Sequence, residues 1–287
     1  MRLASRVNDT FGLLLRDSRN PAYGALLSSL QLEAQARGRE LVTVTVSADP
    51  DGHTQLSGLR RLLGLRVAGL FVATGDIRGE QLHPFLSDVP VMRVGRPEPD
   101  AEIDAVSYDE RRHAELLVDH LVGLGHARIG VVHTKAEVSY PEWVRGDSMI
   151  EIARQRGADV RVFDAHRGDD GLDRALQAVE TRAITALMCP SDARQMSAMR
   201  LAQQHGVLVP GDLSITGCDG LLLGLDLLGL TTVRLPVESL ATAAMERMVE
   251  LSTTGARNVM HERFAGELVV GSTTGPAPRS RTGENYG

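Results

Sequence analysis

Residues 186–217 have the sequence ALMCPSDARQMSAMRLAQQHGVLVPGDLSITG. Residues 186–189 are an uninterrupted apolar run, which is typical of a strand buried on both faces. A predicted helix over residues 193–205 follows, and then a second predicted strand over residues 213–217. This order of strand, helix and strand predicts a parallel sheet that is covered by helices.

The same alternation continues on both sides of this stretch. It restarts near residue 129, which predicts two doubly wound lobes in a chain of 287 residues. Residues 263–270 add one or two strands, which we expect to complete the two sheets. The other predicted strands are 11–15, 41–46, 69–72, 89–94, 105–108, 129–132 and 160–163, and the other predicted helices are 22–37, 54–65, 109–124, 142–155, 170–180 and 240–251.

The composition is that of an ordinary globular protein, with 43% hydrophobic and 24% charged residues. The formal net charge of −6 gives this chain no basic surface of the kind that nucleic-acid-binding proteins carry. The longest apolar stretch, residues 221–230, is too short and too interrupted for a membrane span, and the polar N-terminus lacks the apolar core of a secretion signal. We therefore expect a soluble cytoplasmic protein with no membrane partner.

Motifs for catalysis, cofactors and metals are missing from the sequence. It contains no glycine-rich phosphate loop, no H-E-x-x-H and no C-x-x-C. His113 and His120 share a predicted helix face, but about 10.5 Å of helical rise separates them, so we interpret them as surface residues and not as zinc ligands. Cys189 and Cys218 end predicted buried strands and are expected to be buried thiols. We predict a protein that is not an enzyme and that has neither cofactor nor metal.

A set of short strings resembles, in the same order, the effector-binding core of the lactose-repressor (LacI/GalR) family of transcription regulators. The resemblance runs from Met1 to about Pro278, which is nearly the whole chain. Each string alone is only suggestive, whereas seven or eight in register are specific. The strings are Asn20-Pro21-Ala22-Tyr23, LGHARIG at 124–130, Trp143-Val144-Arg145-Gly146, Pro190-Ser191-Asp192-Ala193, VPGDLSI at 209–215, Gly217-Cys218-Asp219, Leu230-Thr231-Thr232-Val233 and Ser272-Thr273.

The resemblance implies a type I periplasmic-binding-protein fold, in which two doubly wound parallel-sheet lobes are joined by a three-strand hinge. The crossings between the lobes would lie near Gly125, Pro236 and Phe264. Residues 10–124 and 238–262 would then form the N-terminal lobe, and residues 126–236 and 264–279 the C-terminal lobe. Residues 1–9 would be a remnant of a hinge or linker, and residues 280–287 a disordered tail.

Ligands of open α/β sheets bind beyond the carboxyl ends of the strands, and two such edges that face each other form a cleft. The resemblance implies that Asp219 accepts hydrogen bonds from vicinal ligand hydroxyls and that Arg145 donates to hydroxyl or carboxylate oxygens. Tyr23 matches an aromatic position of the family and Trp143 lies near Arg145, and such rings can stack on a sugar. The remaining candidate ligand-binding residues are Ser191, Asp192 and Asn20.

Each of these assignments has a structural alternative. Asp219 can brace its loop, and Arg145 can pair with a surface carboxylate. Tyr23 and Trp143 can pack at the hinge, and Asp192 can cap a helix. The resemblance does not fix which ligand binds, because the family usually has other residue types at three positions near these candidates. Those positions are Ala22, Gly220 and Asp147.

Members of the family carry an N-terminal helix-turn-helix headpiece, which a hinge helix joins to the core. The match begins inside that hinge, with Leu3 at the position of the leucine that wedges between minor-groove bases. A frayed terminus is the alternative. We expect contact with operator DNA only through a headpiece that this chain lacks.

Residues 221–230 form an apolar loop of a kind that a monomer rarely exposes. The corresponding loop in the family lies at the dimer interface, so the resemblance implies a homodimer. A lid over the ligand is the alternative. The interface candidates are Leu221, Leu222, Leu223, Leu225 and Leu227.

Together these observations predict the effector-binding and dimerisation core of a sugar-responsive transcription regulator. Its small-molecule effector would close the cleft between the lobes and alter operator affinity. An extracytoplasmic sugar-binding protein of a transport system has the same fold but requires a secretion signal. An enzyme acting on a sugar or nucleoside requires a paired acid and base in the cleft.

Overall fold

The computed structural model describes residues 9–17, 20–47, 52–165, 170–255 and 258–278, and in it the chain forms two compact units. The first unit contains the chain up to Asp109 together with Glu137–Pro141 and Leu235–Gly266. The second contains Glu110–Ala136, Glu142–Arg234 and the chain from Glu267 onwards. The proposed hinge residue Leu3 and the expected tail over residues 280–287 lie outside the described residues.

The described residues form twelve strands and nine α-helices. The strands are β1 Thr10–Leu15, β2 Glu40–Thr45, β3 Leu70–Ala73, β4 Val91–Val94, β5 Asp104–Tyr108, β6 Arg128–Thr134, β7 Asp159–Ala165, β8 Ala186–Met188, β9 Ser214–Thr216, β10 Thr232–Arg234, β11 His261–Phe264 and β12 Glu267–Val269. The helices are α1 Pro21–Ala36, α2 His53–Gly64, α3 His83–Leu86, α4 Glu110–Gly123, α5 Tyr140–Gln155, α6 Leu172–Glu180, α7 Asp192–Gln204, α8 Leu225–Leu228 and α9 Val237–Thr254.

The first unit is built on a six-stranded parallel sheet with the order β11-β5-β4-β3-β1-β2. Leu13, Leu14 and Leu15 are all fully buried although successive strand residues point to opposite faces, so helices cover both faces of the sheet. Leu14 packs in one cluster with Leu59 and Leu62 of α2, while α1 and α9 pack against each other. Each buried leucine of this kind stabilises the fold by about 1.5–3 kcal/mol.

The second unit contains a four-stranded parallel sheet with the order β7-β6-β8-β9. Phe163, Leu176 and Ile215 belong to the core that α6 and α7 form with this sheet. Strand β10 pairs antiparallel with β12, and a bridge between Thr216 and Thr231 connects this pair to the end of β9. The unit therefore places the ends of β8, β9 and β10 side by side.

The parallel sheets and alternating helices confirm the predicted α/β fold class. Strand β11 extends the first sheet as expected, whereas β12 pairs with β10, a strand that the sequence pattern did not reveal. Helix α4 belongs to the second unit and not to the first, where we had predicted it, because it packs against β10 and β12. The prediction that His113 is a surface residue was wrong: it is fully buried in α4, with Nδ1 3.4 Å from the Glu110 carboxylate.

Candidate functional site

The loop after β9 holds Asp219 in a strained backbone conformation. Its φ of +134° lies in a region that residues with a side chain rarely adopt, at a cost on the order of 1–3 kcal/mol. The Asp219 amide donates to the Val233 carbonyl (3.1 Å). A Cβ on Gly220, which has φ +65°, would lie 2.5 Å from the Arg234 Cα, so glycine is required there. The fold thus fixes one carboxylate just beyond the end of β9.

Asp192, the first residue of α7, braces this loop. Its Oδ2 accepts from the Gly220 amide at 2.7 Å, and its Oδ1 accepts from the Thr232 hydroxyl at 2.6 Å. The residue is 1% exposed, and a Cβ on Gly217 would lie 2.5 Å from Oδ1. Ser191 precedes it as a buried N-cap without a side-chain capping bond. Asp192 is therefore neither a helix cap nor an open carboxylate, but a link between the start of α7, the loop after β9 and the start of β10.

Arg145 of α5 is paired with a carboxylate that the sequence analysis missed. Its Nε and Nη2 donate to Glu110 at 2.6 and 3.1 Å, and its Nη1 donates to the Pro190 carbonyl. The same Nη1 lies 3.7 Å from Oδ1 of Asp219. The side chains of Arg145 and Glu110 are 4% and 1% exposed, whereas that of Asp219 is 19% exposed. Asp219 is thus the accessible member of the set, which we call the second-unit cluster: Glu110, Arg145, Asp192 and Asp219.

The pKa values of the carboxyls in the second-unit cluster are shifted in different directions. Burial raises the pKa of Asp219 well above its usual range despite Arg145, and burial also raises the pKa of Asp192. Burial opposes the ionisation of Glu110 as well, but Arg145 and His113 hold its pKa below the usual range. Burial disfavours the charge on Arg145, yet its acidic neighbours Cys218, Glu110 and Asp219 raise its pKa well above the usual value.

A second ion pair lies on the neighbouring elements and was also missed. The Thr134 hydroxyl, at the end of β6, donates to Oε2 of Glu142 at 2.9 Å. Arg194 of α7 donates through Nε to the same oxygen at 3.1 Å. Glu142 contributes to the raised pKa of Asp219, although less than burial and the charge of Asp192 do. The end of the second sheet therefore has more carboxylates than guanidiniums.

The other predicted ligand residues occupy separate places. Trp143 is half-buried on α5, and because residues two apart on a helix do not share a face, it points away from Arg145. Asn20 is exposed and caps α1, where its Oδ1 accepts from the Ala22 amide at 2.9 Å. Tyr23 is half-buried in the first turn of α1 and, like Asn20, belongs to the first unit.

The first unit contains its own buried charged set, Arg93, Arg96 and Glu98, which we call the first-unit cluster. Nε of Arg93 donates to Glu98 at 2.8 Å, and its two Nη atoms donate to the carbonyls of Thr74 and Ile77 at 3.2 and 2.8 Å. Nη2 of Arg96 lies 3.5 Å from Glu98. Burial, followed by the charge of Arg96, lowers the pKa of Arg93 to about 10. The sequence feature that indicates this cluster is the presence of three charged residues within six positions around the end of a strand.

Residues of four of the quoted sequence strings hydrogen-bond to one another within the fold. His126, 1% exposed, lies with Nδ1 2.9 Å from the Thr185 hydroxyl and Nε2 3.0 Å from the Ser214 hydroxyl. Burial lowers the pKa of this histidine. The Thr273 hydroxyl accepts from the Thr231 amide at 2.8 Å. Both residues therefore join segments that are distant in the sequence.

The apolar loop exposes some of its leucines and buries others. Leu223 is 100%, Leu227 93% and Leu228 42% exposed. Leu225, one of the predicted interface residues, is only 6% exposed and lies inside the unit. Leu221 and Leu222 are half-buried. The exposed apolar surface is therefore narrower than the sequence suggested.

Both cysteines are free and buried, as expected, and burial raises the pKa of the Cys189 thiol. Within the described ranges, no group of three His, Cys, Asp or Glu side chains is placed to hold a metal ion. In the same part of the chain, no helix has both the length and the apolar character needed to cross a membrane.

Comparison with known proteins gives consistent matches. The chain matches a family model for a periplasmic binding protein-like domain over residues 118–274. It is 30% identical over 300 residues to the HTH-type transcriptional regulator MalR of Streptomyces coelicolor, which covers 98% of this chain and 85% of MalR. It is 29% identical over 258 residues to GalR of Salmonella typhimurium, which covers 87% of this chain and 74% of GalR. The fold resembles that of a LacI transcriptional regulator from a Rhodococcus species, with TM-score 0.82 and 22% identity over 94% of this chain and 100% of that one.

Proposed function

Because the chain belongs to the LacI/GalR family of transcription regulators and spans the effector-binding core, we propose that it binds a sugar or sugar derivative through Asp219. Binding changes the affinity of the regulator for operator DNA, which is contacted through a helix-turn-helix segment of the kind named in the relatives. We place this function in the cytoplasm, and it requires no catalysis. The relatives are regulators, so the transport alternative gains no support from them.

The proposal rests on the position, the exposure and the backbone conformation of Asp219. Its carboxylate lies beyond the carboxyl end of a parallel strand, where ligands of such sheets bind, and it retains 19% exposure. Its backbone φ of +134° stores strain of a kind that clusters at ligand sites. The alternative role, bracing the loop, is filled by Asp192 through both of its carboxylate oxygens. Asp219 is therefore the group left to accept hydrogen bonds from ligand hydroxyls.

Around this carboxylate the proposal assigns supporting roles. Arg145 holds Asp219 in place, and Ser191 begins the helix that carries the brace. Trp143 points away from Arg145 and is not assigned to this carboxylate, and Tyr23 remains a proposed stacking residue within the first unit. The response is a ligand-dependent shift in the equilibrium between two conformations of the protein, which requires that the ligand bind one conformation more tightly than the other.

A thermal-shift screen of hexoses, pentoses and disaccharides tests this function. A ligand at about 100 times its Kd stabilises the native state by about 2.7 kcal/mol, which corresponds to a Tm increase of about 5–10 °C. The Asp219→Ala variant is expected to remain folded and to lose this increase, because two charged hydrogen bonds predict a loss of affinity of at least about a hundredfold. Asp226→Ala, at an exposed carboxylate on α8, is the matched control. An unchanged shift in Asp219→Ala would refute the assignment.

We further propose that the exposed leucines mediate a homodimer. Next to Leu228 the second unit has an open groove of about 500 Å³ with Met196, Met199 and Leu208 in its lining, and Leu208 is itself 67% exposed. Exposed leucines beside a mainly apolar groove are typical of an interface.

Sedimentation at tens of micromolar protein tests the dimer. Leu223→Asp with Leu227→Asp is expected to give monomers, because it buries two charges in the contact. Leu32→Asp, at an exposed leucine on α1 of the first unit, is expected to remain dimeric. A wild-type protein that sediments as a monomer contradicts the interface.

A further inference from the structure

Carboxyl groups outnumber guanidiniums around Asp219, and this imbalance affects which ligand charge the site accepts. The charged groups that act on Asp219 are the carboxyls of Glu110, Asp192 and Glu142 and the guanidinium of Arg145, and Arg194 accompanies Glu142. Each guanidinium already has a carboxylate partner: Arg145 pairs with Glu110, and Arg194 pairs with Glu142. The carboxyls of Asp192 and Asp219 are in excess of these two pairs.

Arg145 is the group that would be expected to bind an anionic ligand, and each of its three nitrogens already donates to an oxygen atom of the protein. Nε and Nη2 are held by Glu110 at 2.6 and 3.1 Å, in a pair that is almost completely buried. Nη1 donates to the Pro190 carbonyl and faces Asp219. A ligand carboxylate or phosphate would have to compete with Glu110 and Asp219 for the guanidinium of this residue, which is only 3% exposed. Displacing Glu110 would leave a buried carboxylate without its partner, which is strongly unfavourable.

The remaining carboxyls also oppose an added negative charge. Burial, with contributions from the neighbouring carboxylates, already raises the pKa of Asp219 well above its usual range. An anion bound against this residue would add a like charge close to these carboxylates and would raise the pKa of Asp219 further. A hydroxyl or an ammonium group instead supplies donors, which carboxylate oxygens accept.

We propose that Glu110 makes this site selective by charge: it admits polyhydroxylated ligands that are neutral or carry an ammonium group, and it excludes those that carry a carboxylate or a phosphate. Glu110 is a positioning residue, because it acts by occupying Arg145. The inference rests on the proposed function and names the ligand class of that same site.

The test uses sugars matched in shape and different in charge. D-glucose, D-galactose and D-mannose are each compared with their 2-amino, uronate, uronamide and 6-phosphate forms by thermal shift and calorimetric titration. Whichever sugar binds, its neutral, amino or uronamide form is expected to bind at least about tenfold more tightly than its uronate or 6-phosphate, as one like charge within a few ångströms predicts. The uronamide controls for shape, since it differs from the uronate only in charge.

The variant Glu110→Gln tests whether this residue causes the selectivity for ligand charge. It is expected to narrow the ratio between uronamide and uronate affinity by at least about fivefold, because it frees donors of Arg145. If Glu110 had only a structural role, the substitution would lower the affinity for both ligands equally and leave the ratio unchanged. Glu115→Gln, which makes the same charge change on the same helix at a partly exposed site, is expected to keep the wild-type ratio.

The outcomes are distinguishable. A uronate or 6-phosphate that binds wild-type protein as tightly as its neutral counterpart overturns the charge selection and leaves the proposed function standing. An unchanged ratio in Glu110→Gln overturns the role of that residue. If no sugar of any charge binds, the proposed function fails and the selection fails with it.

Discussion

Each unit buries an arginine beside a glutamate near the carboxyl end of its sheet, yet the two arginines respond to burial in opposite directions. In the first unit, burial and the nearby Arg96 lower the pKa of Arg93 to about 10. In the second, burial acts in the same direction on Arg145, but the surrounding acidic groups outweigh it and raise its pKa well above the usual value. The difference arises from the neighbours and not from the depth of burial.

The two clusters also differ in what they leave accessible. The side chains of Arg93 and Glu98 are both 0% exposed, and the guanidinium holds the loop after β3 through the carbonyls of Thr74 and Ile77. The second-unit cluster is closed on one side by Glu110 and open on the other at Asp219. The first cluster therefore fixes a loop, whereas the second fixes a loop and presents a carboxylate.

The largest expected effect comes from breaking the first-unit cluster. Glu98→Gln leaves two buried guanidiniums without their carboxylate, and we expect it to lower the free energy of unfolding by about 3–5 kcal/mol. Urea unfolding followed by far-UV circular dichroism measures this loss. Glu102→Gln, an exposed residue of the same loop, is expected to change it by less than about 0.5 kcal/mol. A loss below about 1 kcal/mol in Glu98→Gln would contradict the closed first cluster.

A smaller loss is expected from the same change in the second-unit cluster. Glu110→Gln removes the bidentate partner of Arg145, but Asp219 remains 3.7 Å away, so we expect about 1.5–3 kcal/mol. Trp143 is the one tryptophan of the chain and lies on α5, so its fluorescence reports urea unfolding of the second unit. If Glu110→Gln lowers the free energy of unfolding as much as Glu98→Gln does, the two clusters do not differ in the way described.

The smallest effect is a pH dependence that separates Asp219 from Glu110. A carboxyl whose folded pKa is raised contributes stability that is fully present below about pH 3.9, its unfolded pKa, and lost as the pH rises through the folded pKa. Asp219→Asn removes this loss, so its unfolding free energy relative to wild type is expected to increase between about pH 4 and pH 7. Glu110 has a lowered pKa, so its contribution is present above about pH 4.3 and lost on acidification. Urea midpoints across this range measure both trends, and a relative stability of Asp219→Asn that falls with pH would contradict the first.

Much of the fold was predictable because strands covered on both faces leave continuous apolar runs, such as Leu13, Leu14 and Leu15 in β1. Strand β10 escaped prediction because it has three residues, two of them polar or charged, and depends on pairing with β12. The fully buried position of His113 was missed because the carboxylate beside it, Glu110, is itself buried only through a partner in another helix.

The site was predictable in its residue types but not in their roles. Asp192 and Asp219 both follow strands, and only their hydrogen bonds show that the first braces the loop and the second remains open. Glu110 lies 35 residues from Arg145 in the sequence, so no local pattern indicates their pairing. Glycine is required at position 220 by its positive φ and by the close contact with Arg234, which only the structure shows.

The most direct test is a crystal structure of the protein with the sugar that gives the largest thermal shift. The account predicts ligand hydroxyls about 2.7–3.2 Å from the Asp219 carboxylate, with Arg145 still paired to Glu110. A sugar bound without contact to Asp219, or held by an Arg145 that has left Glu110, would contradict it.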